Sequence, residues 1–221
     1  MKPVRERGET FGDYLARLEA WSGTDEGIAW AAASERAEAA ERRAEDARWM
    51  RDEVGVPQEI AAVLLSESGP SLTEPMVAIR SLAPREHLVF LAGRVGTGKS
   101  VAACWAATRP GVSSALFVRS VRLARWARYD DDEVDRLLSP KVLVVDDLGS
   151  EFNDERGSFW TLFEEVAVTR AENHLLTVVT TNLLVDDVRA RYHFERVAER
   201  VRSLGAFIQF DGESLRGRRV S

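Results

Sequence analysis

The sequence predicts an α/β fold in which a parallel sheet of five strands is flanked by helices. Three observations lead to this prediction. Short apolar runs alternate with helical segments, a glycine-rich loop follows the first run, and an Ala-, Glu- and Arg-rich segment precedes the alternation. Strands that alternate with helices are joined by crossover connections, which produce parallel sheets covered on both faces. The 221 residues accommodate one domain of ordinary size with an appendage.

The alternating part begins at about residue 86, so we expect residues 86–221 to form the α/β domain. Five short apolar runs are typical of buried parallel strands, and they cover residues 87–92, 115–118, 142–145, 175–179 and 206–210. Helices are predicted over residues 100–108, 120–128, 156–172, 185–191 and 196–204.

The part before the sheet is predicted to form a helical N-terminal region, residues 1–54, and a linker with short helices, residues 55–85. From Asp25 to Glu53 the chain has no proline and is rich in alanine, which favours one long and mostly solvated helix. Three large apolar side chains occur in this otherwise polar region: Trp21, Trp30 and Trp49. They either pack on the neighbouring domain or form a docking surface for a partner protein.

The composition excludes several classes of protein. The net charge of −6 makes the chain a poor general binder of nucleic acid, so any such contact needs a local basic patch. Cys104 is the only cysteine, which excludes an internal disulfide and a cysteine-based zinc site, and the three histidines have no metal-ligand spacing. With no apolar signal-peptide core or membrane-spanning segment in the sequence, we expect a cytoplasmic protein with no membrane partner.

Residues 93–100, with the sequence GRVGTGKS, match the phosphate-binding pattern G-x-x-x-x-G-K-[ST] in full. The loop lies between a predicted strand and a predicted helix, where backbone N–H groups and the helix N-terminus can surround phosphates. Lys99 is predicted to reach the β- and γ-phosphates of ATP, and Ser100 to ligate Mg²⁺. The other predicted nucleotide-binding residues are Gly93, Val95, Gly96, Thr97, Gly98 and Val101.

Two carboxylates end the third predicted strand. Asp146 is predicted to help hold Mg²⁺, and Asp147 to orient or deprotonate the water that attacks the γ-phosphate. Many ATPases with a phosphate-binding loop carry glutamate at the second position. Aspartate is one methylene shorter and reaches the water less well, so we expect slow ATP hydrolysis. The alternative is that the two acids only cap a turn before Leu148 and Gly149.

A polar tripeptide, Thr180-Thr181-Asn182, follows the fourth predicted strand. The Asn182 amide can hydrogen-bond the γ-phosphate or the attacking water. Asparagine is also a common helix cap, and Asn182 precedes a predicted helix, so both interpretations stay open.

Four segments together resemble the DnaC/IstB-type AAA+ ATPases, a family of bacterial and phage helicase loaders and of ATPase partners of transposases. These segments are GRVGTGKS, VLVVDDLGSE, TTN and FERVAERVRS. The resemblance runs from about Val56 to Arg216, and its most specific signals are the DDLG turn and the closing E-R-x-x-x-R-x-R pattern. Residues 212–216 also resemble the family's final G-x-S-[YW]-R element.

The resemblance implies an AAA+ type sheet without a C-terminal lid domain, and subunits that self-associate into a ring or spiral with the nucleotide between them. Arg200 is then the arginine finger that enters the neighbouring subunit's ATP site, and Arg196 is its nearest rival. The alternative is that these arginines lie on a solvated helix face and form ion pairs with Glu195 and Glu199. Arg216 is a further candidate contact to the nucleotide.

A basic helix follows the second predicted strand, with arginines at every third position and two aromatic residues among them. Arginine side chains can bind the phosphates of single-stranded DNA, and an aromatic ring can stack on its bases. The residues predicted to contact DNA are Arg122, Arg125 and Arg128. The alternative is that the arginines lie on a solvated helix face and that the acidic residues 130–133 balance their positive charge. The basic end of the chain is another candidate surface, or a flexible tail.

The expected function is an ATP-dependent replication protein that loads a replicative helicase onto single-stranded DNA, with the N-terminal region docking the helicase. An ATPase that assists a transposase uses the same core and is the main alternative. A small-molecule kinase is a remote one, because that class needs a mobile arginine-rich lid over the phosphates, and no inserted segment supplies one.

Overall fold

The computed structural model describes residues 2–129, 133–152, 157–192 and 194–215, and only the backbone at 128, 129 and 133. The chain divides into two compact units, Met1–Arg48 and Trp49–Ser221. Within the described ranges, no helix combines the length and the apolar character needed to cross a membrane.

The first unit contains α1 (Phe11–Ser22) and most of α2 (Asp25–Trp49). Helix α1 was not predicted; it begins because the Thr10 hydroxyl accepts a hydrogen bond from the backbone N–H of Asp13, a normal N-cap. The rings of Trp21 and Trp30 lie 5.6 Å apart, so two of the three tryptophans contact each other inside this unit.

The second unit begins with a π-helical turn (Met50–Val54) and contains the remaining elements. Its helices are α3 (Gln58–Leu64), α4 (Glu74–Arg80), α5 (Lys99–Thr108), α6 (Ser120–Tyr129), α7 (Glu133–Leu138), α8 (Ser158–Glu172), α9 (Val185–Arg191) and α10 (Glu195–Leu204). Its strands are β1 (Leu88–Gly93), β2 (Ala115–Arg119), β3 (Val142–Leu148), β4 (Leu176–Thr181) and β5 (Gly205–Phe210).

All strand pairs of the sheet are parallel, in the order β2-β3-β4-β1-β5, so the predicted fold class is confirmed. One apolar cluster packs α6, α8 and α10 on one face, and a second packs α3, α4 and α5 on the other. The order places β4 between β1 and β3, although β4 follows both in the chain. The carboxyl ends of these three strands therefore lie side by side.

Arg170 on α8 is a buried cation that connects α8 with α7 and β4, and only 1% of its surface is exposed. Its guanidinium donates to the carbonyl oxygens of Leu137 (2.9 Å), Pro140 (2.9 Å) and Leu176 (2.8 Å) and to the hydroxyl of Thr177 (2.9 Å). Burial lowers the pKa of this guanidinium to about 10, so it stays charged at neutral pH. One side chain thereby fixes the end of α7 against the beginning of β4.

We expect Arg170→Met to lower the free energy of unfolding by about 3 kcal/mol, because several buried carbonyl groups lose their donor. Arg189→Met is the matched control, since the Arg189 side chain is 59% exposed and its ion pair with Asp186 lies at the surface. That variant should change stability by less than about 0.5 kcal/mol. Urea denaturation of the two variants measures the difference, and equal midpoints would contradict the role given to Arg170.

Candidate functional site

A cavity of about 860 Å³ lies at the carboxyl ends of β1, β3 and β4, within the size range of small-molecule sites. The glycine-rich loop and the start of α5 form its floor. Of the predicted nucleotide-binding residues, those that line it are Val95, Gly96, Gly98, Lys99, Ser100 and Val101. Gly93 and Thr97 do not line it: the Gly93 carbonyl accepts a hydrogen bond from Lys99, and Thr97 is buried.

The loop takes its shape from glycines in the left-handed region, with φ of 88° at Gly96 and 93° at Gly98. A Cβ atom at Gly96 would lie 2.1 Å from the Ser214 hydroxyl oxygen, so a side chain there would be strained and would require Ser214 to move. Helix α5 begins directly after Gly98, and no described side chain caps its first N–H groups. The free N–H groups of such a helix N-terminus can donate hydrogen bonds to the oxygens of an anion.

Lys99 is 6% exposed, and its ammonium group donates to the carbonyl oxygens of Gly93 and Arg94, each at 2.7 Å. It also donates to Asn182 Oδ1 at 3.2 Å. The amide nitrogen of Asn182 in turn donates to Asp147 Oδ1 at 2.8 Å. Asn182 thus joins the loop cation to the second acid of β3. It does not cap α9, whose N-cap is Leu184, so the capping alternative is wrong.

The ends of β3 and β4 are joined by threonine hydroxyl groups. Thr180 Oγ1 donates to Asp146 Oδ1 at 2.7 Å and accepts from the backbone N–H of Asp147 at 3.0 Å. Thr181 Oγ1 donates to the Leu148 carbonyl at 2.6 Å. Both acids belong to β3 and line the cavity. The position of each carboxylate is set by the neighbouring strand.

Asp147 has a φ of 61°, a left-handed conformation that is uncommon outside glycine. Its carbonyl accepts hydrogen bonds from the hydroxyl groups of Ser120 (2.7 Å) and Ser150 (2.8 Å). The following turn is closed by buried Glu151, which accepts from the Gly149 N–H at 2.8 Å. Serine hydroxyl groups and a buried carboxylate therefore hold the backbone that presents Asp147. The sequence pattern did not indicate the Ser120 contact, because Ser120 belongs to α6 and lies 27 positions before Asp147 in the chain.

The donor set fits Mg²⁺. Asp146 and Ser100 line the same cavity and offer a carboxylate and a hydroxyl oxygen, and Mg²⁺ typically takes one or two protein oxygens with phosphate and water. Among the described residues, no group of three or more His, Cys, Asp or Glu side chains could hold a metal alone. The site suits a metal that arrives with a phosphorylated ligand.

The other end of the cavity is apolar. Ile60 and Val63 of α3 and Leu215 near the end of the described chain line it. The backbone N–H of Leu215 donates to the Gly96 carbonyl at 2.9 Å, so the C-terminal segment lies against the glycine-rich loop. These residues form an apolar part of the cavity lining. The predicted linker, residues 55–85, supplies one wall of the site, which the sequence pattern did not indicate.

The predicted arginines lie elsewhere. On α10, Arg196 pairs with Glu164 at 2.9 Å and Arg200 pairs with Glu172, and neither arginine lines the cavity of its own chain. On α6, Arg122 and Arg125 line a second cavity, of about 490 Å³. The Arg128 side chain and all of Arg216 lie outside the described residues, so these two predictions are not tested.

Together, the parallel sheet, the glycine-rich loop and the acids of β3 define a P-loop fold of the AAA+ type. The sequence matches no known protein-family model and no curated protein. The fold is similar to DnaI, with a TM-score of 0.56 and 23% sequence identity over 72% of this chain and 94% of DnaI.

Two further solved structures share the fold. A protein described as a primosome component from Streptococcus pyogenes serotype M3 has a TM-score of 0.53 and 20% identity over 74% of this chain and 93% of that one. The replication initiator DnaA, bound to AMPPCP and single-stranded DNA, has a TM-score of 0.51 and 15% identity over 63% of this chain and 44% of DnaA. At these identities the likeness establishes the fold alone.

We expect Thr180→Val to lower the free energy of unfolding by about 1–3 kcal/mol, because the buried Asp146 carboxylate loses its hydroxyl donor while the β-branched shape is kept. Thr180→Ser, which restores a hydroxyl, should recover more than half of that loss. Thr161→Val is the control, since Thr161 is exposed on α8 and bonds only its own helix at 3.3 Å. Denaturation curves compare the three, and a silent Thr180→Val would show that Asp146 does not depend on β4.

Proposed function

We propose that this chain is an ATP-dependent DNA replication protein that loads a replicative helicase onto single-stranded DNA. ATP binding assembles the subunits, and hydrolysis releases them. The observation that carries the proposal is the connected set Lys99–Asn182–Asp147, with hydrogen bonds of 3.2 and 2.8 Å, in a cavity between the glycine-rich loop and the strand ends.

Each group in this set has a role in phosphoryl transfer. Lys99 contacts the β- and γ-phosphates, and the N–H groups at the start of α5 face the same phosphates. Asp147 orients or deprotonates the attacking water, and Asn182 holds that carboxylate while it hydrogen-bonds the γ-phosphate or the water. Ser100 and Asp146 hold Mg²⁺, which neutralises charge on the phosphates when it is bound.

The site needs a neighbouring subunit to become complete. No arginine other than Arg119 lines the described cavity, whereas arginines are the groups that stabilise charge on a transferred phosphoryl group. Arg200 of α10, which is partly exposed and pairs with Glu172 in its own chain, is the cation that we assign to the neighbour's site. Self-association into a ring or spiral follows from this assignment, and ATP between two subunits then stabilises their interface.

A helicase is the favoured partner of the N-terminal unit. That unit exposes large apolar side chains, with relative exposures of 62% at Phe11, 58% at Ile28 and 39% at Trp30. Exposed aromatic and aliphatic residues favour protein interfaces. The fold shared with the primosome component and with the replication initiator is consistent with a replication partner. An ATPase that assists a transposase remains the second candidate, because the core cannot distinguish the two.

The partner assignment is tested by capture of the replicative helicase purified from the same host, with the tagged full-length chain and ATP. We expect capture by the wild-type chain and at least about tenfold weaker capture by the triple variant Phe11→Ala/Ile28→Ala/Trp30→Ala, because hot-spot side chains are removed. ATP binding by the triple variant should be unchanged, which is the folding control for the second unit, and an unchanged helix signal in circular dichroism is the control for the first unit. Capture of a transposase and not of the helicase would favour the second candidate.

We expect Arg200→Ala to bind ATP normally and to lose about 10³-fold in turnover, the scale of an arginine finger. A mixture of Arg200→Ala and Lys99→Ala subunits should regain activity, because an intact loop then meets an intact neighbouring arginine. Phosphate release measures both effects, and Arg202→Ala on the same helix is the control. If Arg200→Ala keeps full ATPase activity and Arg196→Ala loses it, Arg196 and not Arg200 is the arginine finger.

A further inference from the structure

Two histidines meet at the edge of the sheet opposite the nucleotide cavity. His87 directly precedes β1, and His174 lies two residues before β4, so both are at the amino ends of neighbouring strands. Nε2 of His87 and Nδ1 of His174 are 3.2 Å apart, and the two rings meet edge to face with their centres 4.9 Å apart. The cavity that contains Lys99 and Asp146 lies at the carboxyl ends of the same sheet, so the two places are separate.

The backbone on both sides of His87 is fixed by the neighbouring elements. Its N–H donates to the carbonyl oxygen of Leu204, the last residue of α10, at 2.6 Å. Its carbonyl oxygen accepts from the N–H of Thr177 in β4 at 2.7 Å. The imidazole of His87 is half-buried and projects from a rigid position.

His174 ends α8 in a turn that is normally built with glycine. The N–H of Leu175 donates to the Arg170 carbonyl at 2.9 Å, and the N–H of His174 donates to the Ala171 carbonyl at 3.2 Å, which together form a Schellman turn. His174 has a φ of 57°, a left-handed conformation that glycine adopts at less cost than any residue with a side chain. The backbone alone therefore does not account for an imidazole at this position.

The surroundings favour a cation bound to neutral imidazole rings. The C-terminus of a helix carries partial negative charge, and the 15 residues of α8 end at this pair. Burial and repulsion from His174 lower the pKa of His87. Its ring is therefore neutral at neutral pH, which is the form of histidine that ligates a metal.

The spacing of the two nitrogens fits a tetrahedral metal ion. Zinc–nitrogen bonds of about 2.0–2.1 Å in a tetrahedral site place two nitrogen ligands about 3.3 Å apart. The separation between His87 Nε2 and His174 Nδ1 is 3.2 Å. In the hydrogen bond one proton lies between these nitrogens, and an ion takes its place when the donor ring carries that proton on its other nitrogen.

The ion would have two protein ligands, with water in its remaining positions. The acids closest to the pair in sequence have other partners, since Glu86 accepts from the N–H of Ala83 and Glu172 pairs with Arg200. Over the described ranges, no third His, Cys, Asp or Glu completes a cluster around the two rings. Imidazole nitrogen selects Zn²⁺ and similar transition metals, whereas Mg²⁺ prefers oxygen ligands.

We propose that His87 and His174 form a binding site for a divalent transition-metal ion of the Zn²⁺ type, which fastens the end of α8 to the start of β1. This site is distinct from the Mg²⁺ site beside Ser100 and Asp146, because its ligands are nitrogen atoms at the other end of the sheet. Its effect is on stability, and it takes no part in phosphoryl transfer.

The first test is a calorimetric titration of the full chain with Zn²⁺ in excess Mg²⁺. We expect one equivalent to bind, and His87→Asn and His174→Asn should each weaken binding by at least about tenfold, because a ligand is lost. His193→Asn, which removes the third histidine of the sequence, is the matched control and should bind as the wild-type chain does. In ¹⁵N NMR of the imidazole nitrogens, Zn²⁺ should shift Nε2 of His87 and Nδ1 of His174.

His174→Gly separates the metal site from a purely structural role of the side chain. Without metal this variant should melt at or above the wild-type Tm, because glycine adopts the left-handed turn without strain. Zn²⁺ at ten times its Kd should raise the Tm of the wild-type chain by about 3–6 °C and leave that of His174→Gly unchanged.

Three outcomes overturn the proposal. The first is the absence of saturable Zn²⁺ binding by the wild-type chain. The second is binding that survives in both His87→Asn and His174→Asn, or that is lost in His193→Asn. The third is binding at the two nitrogens with no rise in Tm, which would show that the ion does not fasten α8 to β1. If His87→Asn does not fold, His87→Gln, which keeps a nitrogen-bearing side chain of similar length, gives the same comparison.

Discussion

The buried ammonium group of Lys99 is the interaction on which the rest of the site depends. A cation that is 6% exposed must be surrounded by acceptors, because an unpaired buried charge is costly. The carbonyl groups of Gly93 and Arg94 supply two acceptors, and they can converge on one point only where the backbone turns sharply. The third acceptor, Asn182 Oδ1, fixes which way the amide faces. Its nitrogen then has Asp147 as its partner.

The parallel sheet makes this arrangement possible, because adjacent strands bring side chains from distant parts of the chain to one edge. Side chains alternate along β4, so Thr180 and Thr181 face in opposite directions and bond different parts of β3. Each hydrogen bond contributes only about 1 kcal/mol, yet a buried carboxylate without its donor costs more than that. The edge of the sheet is thus held as a unit in which the loss of one hydroxyl affects both acids.

The sequence predicted the parts of the molecule that follow from local pattern. Apolar runs located every strand of the sheet to within three residues at either end, and the GRVGTGKS pattern located the loop. Pairing between distant segments could not be seen in this way. The Ser120 contact to Asp147 spans 27 positions, and the wall formed by Ile60 and Leu215 joins a segment that precedes the strands in the chain to one that follows them. His87 and His174 likewise lie 3.2 Å apart, because β1 and β4 are neighbours in the sheet.

The short side chain of Asp147 makes the position of its carboxylate depend closely on the backbone. A glutamate has one more rotatable bond than an aspartate, so the position of its carboxylate is decided largely by the side chain. With one methylene fewer, the carboxylate goes where the backbone places it. That backbone is left-handed and is held by hydroxyl groups from α6 and from the following turn. The position of the Asp147 carboxylate therefore depends on hydrogen bonds from α6 and from the following turn.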